Sequence, residues 1–119
     1  MLVNKTKGIV LAEKVKICRT FWGKARGLMF RRNLNPGEAL VFVNHRSSRM
    51  EASIHMLFVF FPIAVVWLDE QGRVVDKTLA KPFRLWYAPS LPARYYIEGH
   101  PHLLREVEVG DEISFEESG

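Results

Sequence analysis

Residues 54–68 form an almost unbroken apolar run, interrupted only by His55 and Pro62. At 15 residues it falls short of the roughly 20 that a membrane-spanning helix needs. It is rich in Phe and Val, which fit the pleated, half-buried surface of a sheet better than a helix. Proline lacks the amide hydrogen that an interior strand or helix position requires, so Pro62 divides the run. The segment therefore predicts two buried strands meeting at Phe61 and Pro62.

The 119 residues leave room for a single core, so one domain spanning 1–119 is expected. Folding at this length hides about two-thirds of the surface the unfolded chain exposes, which suffices without a disulfide or metal. Cys18 is the only cysteine, which excludes an intrachain disulfide framework and a cysteine zinc site, and fits a reducing compartment. Residues 1–7 lack the charged-then-apolar pattern of a secretion signal, so a cytoplasmic protein with no membrane partner is expected. A single Gln and a single Cys among many Lys, Arg and Glu lean towards a thermophilic source.

Charge is unevenly spread. Residues 14–32 hold seven basic groups and no acid, whereas 106–117 hold six acids and no base. Such polarity either steers an anionic partner or sets basic segments against acidic ones within the fold, and the second account is the simpler.

Short strand signals recur along the chain. Residues 2–4 and 8–12 read as a hairpin, and Val15, Lys16 and Ile17 alternate as a half-buried strand does. Thr20 suits a helix N-cap, and Phe21, Trp22, Ala25, Leu28 and Met29 make one apolar stripe of a helix over 20–30. Gly23 and Gly27 lie one turn apart on its other face; each costs about 1 kcal/mol in a helix interior, which marks a close approach by a strand, loop or ligand. A turn at 35–37 leads to a strand at 39–43 and a polar loop at 44–49. A tight connection at 69–72 joins two strands, three prolines punctuate a loop at 82–92, and 94–98 is a further strand. Pro101 suits the start of a short helix reaching about Glu106, and a turn at Gly110 leads to a last strand at 113–115. The expected fold is α+β and mostly β: a barrel-like or sandwich-like antiparallel sheet with one main packed helix over 20–30.

Several pieces in this order carry a resemblance: Ala25-Arg26-Gly27-Leu28-Met29-Phe30, Leu40-Val41-Phe42, the run 62–69, Gly72-Arg73-Val74-Val75, the loop 82–92 with Tyr87, Ala93-Arg94-Tyr95, Glu98, and Gly110-Asp111. Over residues 8–115 the chain resembles the family called domain of unknown function 192. The resemblance implies a compact β-rich domain with one helix packed on it. Many relatives carry Trp-Met-Lys-Asn-Thr before the proline and Asp after it. Here the corresponding positions are His55-Met56-Leu57-Phe58-Val59 and Ala64, so those polar groups are absent.

The candidate site is Arg26, Tyr87, Arg94 and Glu98, with Gly23 and Gly27 allowing close backbone approach. All four belong to the family-like pieces. Two guanidiniums beside a tyrosine hold a carboxylate or phosphate bidentately; the other reading is a buried structural ion pair of an arginine with Glu98. The functional expectation is a non-enzymatic binding or accessory domain for a small anion or peptide, with no cofactor. The alternative is an enzyme using Arg26, Arg94 and Glu98. A nucleic-acid module using Lys14, Lys16, Lys24, Arg31 and Arg32 ranks third. No catalytic residue is assigned: Cys18 reads as a small buried hydrophobe, and no hydrolase, Walker or dinucleotide motif is present. No metal is expected. His100, His102 and Glu106 resemble a cupin ligand motif, but on a helix starting at Pro101 the two imidazoles diverge.

Overall fold

The computed structural model describes residues 1–18, 35–48, 61–81 and 87–117. In chain order the strands are β1 (Leu2–Asn4), β2 (Ile9–Ala12), β3 (Lys14–Cys18), β4 (Glu38–Ser48), β5 (Ile63–Leu68), β6 (Val74–Ala80), β7 (Ala93–Gly99) and β8 (Ile113–Phe115), with a short helix α1 (Leu103–Glu106) between β7 and β8. The expected helix over 20–30, the first half of the apolar run and residues 82–86 lie outside the described residues.

All six residues of β5 are buried, which explains why no polar position interrupts them. β5 lies between β7 and β6 in a five-stranded sheet ordered β3-β4-β7-β5-β6. Because side chains alternate across a strand, Ile63, Val65 and Trp67 face one side and Ala64, Val66 and Leu68 the other. The second set joins Val41, Ile97, Leu103, Val107, Leu2, Val15 and Ile113 in the core between this sheet and a three-stranded sheet, β2-β1-β8. The first set joins Leu40, Phe42, Cys18, Ala93 and Tyr96 on the opposite face. Both faces are thus buried, and each large apolar side chain removed from water contributes about 1.5–3 kcal/mol. The architecture is the sandwich-like form of the expected α+β fold, with one short helix among the described residues.

One expectation is corrected. The larger sheet is mixed, because β3 and β4 pair in parallel, Lys14 with Glu38 through Cys18 with Phe42. Parallel neighbours cannot be joined by a hairpin and need a crossover of a dozen or more residues. The stretch between Cys18 and Glu38 is long enough for one, and apolar alternation alone does not tell a parallel neighbour from an antiparallel one.

A second expectation, a loop after Val43, is also revised. β4 continues to Ser48, and its pairing with β7 steps from Val43 opposite Tyr95 to Ser48 opposite Ala93. Four residues of β4 therefore face Arg94 alone. The polar character of 44–47 reflects this bulge, where backbone groups leave the ladder and other partners must satisfy them. The Arg94 Nε donates to the Asn44 carbonyl, and the Asn44 amide donates to the Ala93 carbonyl.

The two sheets are joined at one end by a buried polar knot. The Asn4 amide nitrogen donates to Asp111 Oδ2 at 2.8 Å and to the Glu106 carbonyl at 2.9 Å, and the Glu108 N–H donates to the same Asp111 oxygen. These bonds, the Asn4 one foremost, hold the Asp111 carboxyl below its usual range. This gives Gly110-Asp111 a structural role. The basic half of the chain also meets the acidic half here, Lys5 with Glu112 and Lys7 with Glu108, in solvent-exposed pairs that add little stability.

Candidate functional site

Strand register decides which side chains share the outer face of the larger sheet. Leu40 of β4 and Val65 of β5 lie opposite Glu98 of β7, and Phe42 and Trp67 lie opposite Tyr96. Pairing continues outward to Lys16 and Cys18 on β3 and to Thr78 and Asp76 on β6. Directly paired residues point to the same side, so two rows cross the sheet. One reads Lys16, Leu40, Glu98, Val65, Thr78; the next reads Cys18, Phe42, Tyr96, Trp67, Asp76. Tyr96 stacks on Phe42 with ring centroids 4.6 Å apart, a contact worth about 0.5–1.5 kcal/mol beyond its buried area.

Glu98 is only 8 % exposed and Tyr96 only 6 %. Among the described residues no donor or cation reaches the Glu98 carboxyl, and none bonds the Tyr96 hydroxyl. Nor is any described side-chain nitrogen or oxygen both sealed from solvent and unpaired. Neither residue is completely sealed from solvent. Burial among Leu40, Val65 and their neighbours raises the Glu98 pKa from 4.5 to about 8, so at neutral pH it is an uncharged carboxylic acid. Burial, then Glu98, then Cys18 push the Tyr96 hydroxyl well above its usual range, so it too stays neutral.

The residues expected to converge are placed as follows. Arg26, Gly23 and Gly27 lie outside the described residues. Tyr87 packs against the same apolar cluster as Tyr96, and its hydroxyl accepts the Lys81 N–H at 2.8 Å. Arg94 does not pair with Glu98. Four residues apart on one strand, their Cα atoms are separated by about 13 Å, and Arg94 is engaged by the Asn44 carbonyl and by Glu70 at 3.9 Å. Tyr96 is absent from the candidate set, although its signal was legible: residues 94, 96 and 98 alternate onto one face of a strand.

The histidines differ from expectation. α1 begins at Leu103 with His102 as its N-cap, so Pro101 precedes the helix. The His100 and His102 rings therefore meet, Nδ1 to Nδ1 at 2.8 Å, while His102 Nε2 lies 3.0 Å from Glu106. Among the described residues no three of His, Cys, Asp and Glu converge as a metal site would require. Lys77 closes the other end of α1, donating to the Leu104 and Val107 carbonyls at 2.8 and 2.6 Å, where a cation also suits the helix dipole. No helix among the described residues is long and apolar enough to cross a membrane.

Fold and site together define a two-sheet sandwich carrying a buried acid, without a partner among the described residues, on the outer face of its larger sheet. The family model of domain of unknown function 192 (DUF192, "Uncharacterized ACR, COG1430") matches residues 2–115, and the chain belongs to that family. A UPF0127 protein of Thermococcus kodakarensis is 49 % identical over 117 residues, covering 97 % of this chain and 73 % of the relative. One of Pyrococcus horikoshii is 41 % identical over 117 residues, covering 97 % and 98 %. These homologues come from thermophilic archaea. Among solved structures, a protein of unknown function from Novosphingobium aromaticivorans matches with a TM-score of 0.76 and 22 % identity, covering 85 % of this chain and 74 % of that one. A putative transcription regulator from Sinorhizobium meliloti matches with a TM-score of 0.76 and 18 % identity, covering 84 % and 79 %. At such identities the likeness is one of fold.

Proposed function

We propose that the chain is a non-enzymatic domain that binds a small ligand or peptide on the outer face of its larger sheet, around Tyr96 and Glu98. The observation that carries this reading is the pair of hydrogen-bonding groups, each more than nine-tenths buried and without a hydrogen-bond partner among the described residues, within an otherwise apolar cluster. Leaving a buried polar group unpaired costs about 1–3 kcal/mol, and a ligand that supplies the missing bonds recovers it. A mostly apolar environment with a few placed polar groups is also the usual composition of a small-molecule site. Tyr87 packs on the same cluster. Arg94 lies farther along β7, where its contact with the exposed Glu70 is loose enough to yield to an anionic group at the rim.

The enzymatic alternative asks Arg94 to act beside Glu98, and the separation along β7 disfavours it. Of the basic nucleic-acid surface, Lys14 and Lys16 are exposed; its other members lie outside the described residues.

A thermal-shift screen of small anions, short peptides and neutral polar compounds tests the proposal on the wild type and on Glu98→Leu and Arg94→Ala. A selective ligand at one hundred times its Kd stabilises by about 2.7 kcal/mol. The expected result is a shift lost in Glu98→Leu. Shifts that are absent, or equal in all three proteins, would sink the reading.

A further inference from the structure

We infer that His100, His102 and Glu106 form a proton-operated latch at the start of α1. It keeps three hydrogen bonds only while the group carries one proton more than two neutral imidazoles and a carboxylate. The His102 N–H lies 3.2 Å from His100 Nδ1, and the His102 Nδ1 lies 2.8 Å from the same atom. The His102 Nε2 lies 3.0 Å from Glu106 Oε1. A neutral imidazole has one donor and one acceptor nitrogen, an imidazolium has two donors, and a carboxylate only accepts. Because His100 Nδ1 accepts the His102 backbone N–H, that nitrogen bears no proton. The proton of the ring-to-ring contact then belongs to His102 Nδ1, and His102 Nε2 holds a second one towards Glu106. Hydrogen bonding therefore makes His102 an imidazolium between a neutral His100 and the Glu106 carboxylate. Placing the second proton on Glu106 instead leaves the total unchanged.

Removing the extra proton forces a choice. If His102 keeps its Nδ1–H on His100, its Nε2 lone pair faces a carboxylate oxygen at 3.0 Å. If it keeps Nε2–H on Glu106, its Nδ1 becomes an acceptor and His100 must change tautomer to donate from Nδ1. The His102 backbone N–H then loses its acceptor. This second arrangement gives up only the longest of the three bonds, so it is the open form of the latch. The amide it releases is that of the N-cap of a four-residue helix with no side-chain cap, and so short a helix depends on contacts outside itself. The far end of α1 is fixed by Lys77 on the Leu104 and Val107 carbonyls and by Asn4 on the Glu106 carbonyl. Opening is thus confined to the turn between β7 and α1. Among the described residues, the other charged groups around α1 are Arg105 on the helix itself and the Lys77–Glu108 pair at its far end, while β5 offers only apolar side chains. Burial, then His102, then Arg105 lower the His100 pKa, which suits its part as acceptor. Histidine changes charge between about pH 5 and 8, so the latch closes towards the acid end of that range and opens towards the alkaline end.

The test follows the ring and backbone nitrogens of the intact, nitrogen-15-labelled protein by NMR from about pH 5 to about pH 8.5. At the acid end His102 is expected to be protonated on both ring nitrogens, beside a His100 protonated on Nε2 alone. As pH rises, the His100 proton should move to Nδ1. Exchange protection at the His102 amide should then fall about three- to tenfold relative to Glu106→Gln, the worth of one hydrogen bond. In Glu106→Gln the carboxamide can donate to an unprotonated His102 Nε2, so neutral rings keep all three contacts and the step should vanish. A His102 with a single ring proton at the acid end, two doubly protonated rings, or a His100 that never changes tautomer would overturn the latch. So would a pH step of equal size in Glu106→Gln. The wild-type ring spectra decide the matter even if that variant does not fold.

Discussion

Glu98 shows how one side chain can be inconspicuous in sequence and decisive in the fold. Its neighbours Leu40 and Val65 come from strands distant in the chain, and they remove the water that would keep a carboxylate ionised. The folded protein consequently holds this proton up to about pH 8, against an ordinary value of 4.5. A raised carboxyl pKa stabilises the fold fully below the unfolded value, and that contribution is lost as pH rises through the folded one. Between roughly pH 4.5 and 8 the wild type should therefore lose a few kcal/mol that Glu98→Gln does not lose. Urea denaturation of both proteins at several pH values measures the difference. Parallel stability curves would show that Glu98 is not buried as an acid. Asp111 has the opposite sign: its lowered pKa gives stability above the unfolded value that disappears as pH falls, so the comparison belongs above pH 4.5.

At the level of strands and turns, the glycines separate by what surrounds them. Gly72 closes the β5–β6 connection with φ +82°, and a Cβ there would lie 2.8 Å from the Ile113 carbonyl oxygen. That oxygen belongs to backbone held in place: the Ile113 N–H donates to the Gly72 carbonyl at 2.8 Å. Both the left-handed conformation and the contact oppose a side chain. Gly37, before β4, has open space and no such φ. Gly72→Ala is expected to cost about 1–3 kcal/mol, and Gly37→Ala to change stability by no more than about 0.5 kcal/mol. Chemical denaturation of the two variants side by side provides the check, and equal effects would contradict the turn geometry.

The whole molecule is tied together by pairings between distant segments. β1 pairs with β8, so that the Met1 amino group donates to the Glu116 carbonyl at 2.7 Å, and β7 lies between β4 and β5 in the larger sheet. Nearly every ladder other than the β1–β2 and β5–β6 hairpins closes a long loop, and loop entropy must be overcome before those contacts form. Folding is therefore expected in milliseconds to seconds, as for other mostly-β domains. Stopped-flow tryptophan fluorescence, with Trp67 buried in the larger sheet, would show it. A microsecond relaxation would mean that local structure dominates the barrier.

Much of this architecture is legible in the amino-acid sequence alone. The unbroken burial of β5, the hairpin at 69–72 and the alternation of 94–98 follow from side-chain period and turn chemistry, which act between near neighbours. The family follows from the order of its pieces. Three things are decided only in three dimensions. The parallel pairing of β3 with β4 is a choice of neighbour, and apolar alternation is the same for either direction. The four-residue bulge opposite Arg94 looks like a polar loop until its register with β7 is known. The parting of Arg94 from Glu98, and the meeting of Glu98 with Tyr96, Leu40 and Val65, depend on which strands lie side by side. Local propensity fixes the strands because it needs only adjacent residues; burial, and with it the protonation of Glu98, needs atoms brought from across the chain.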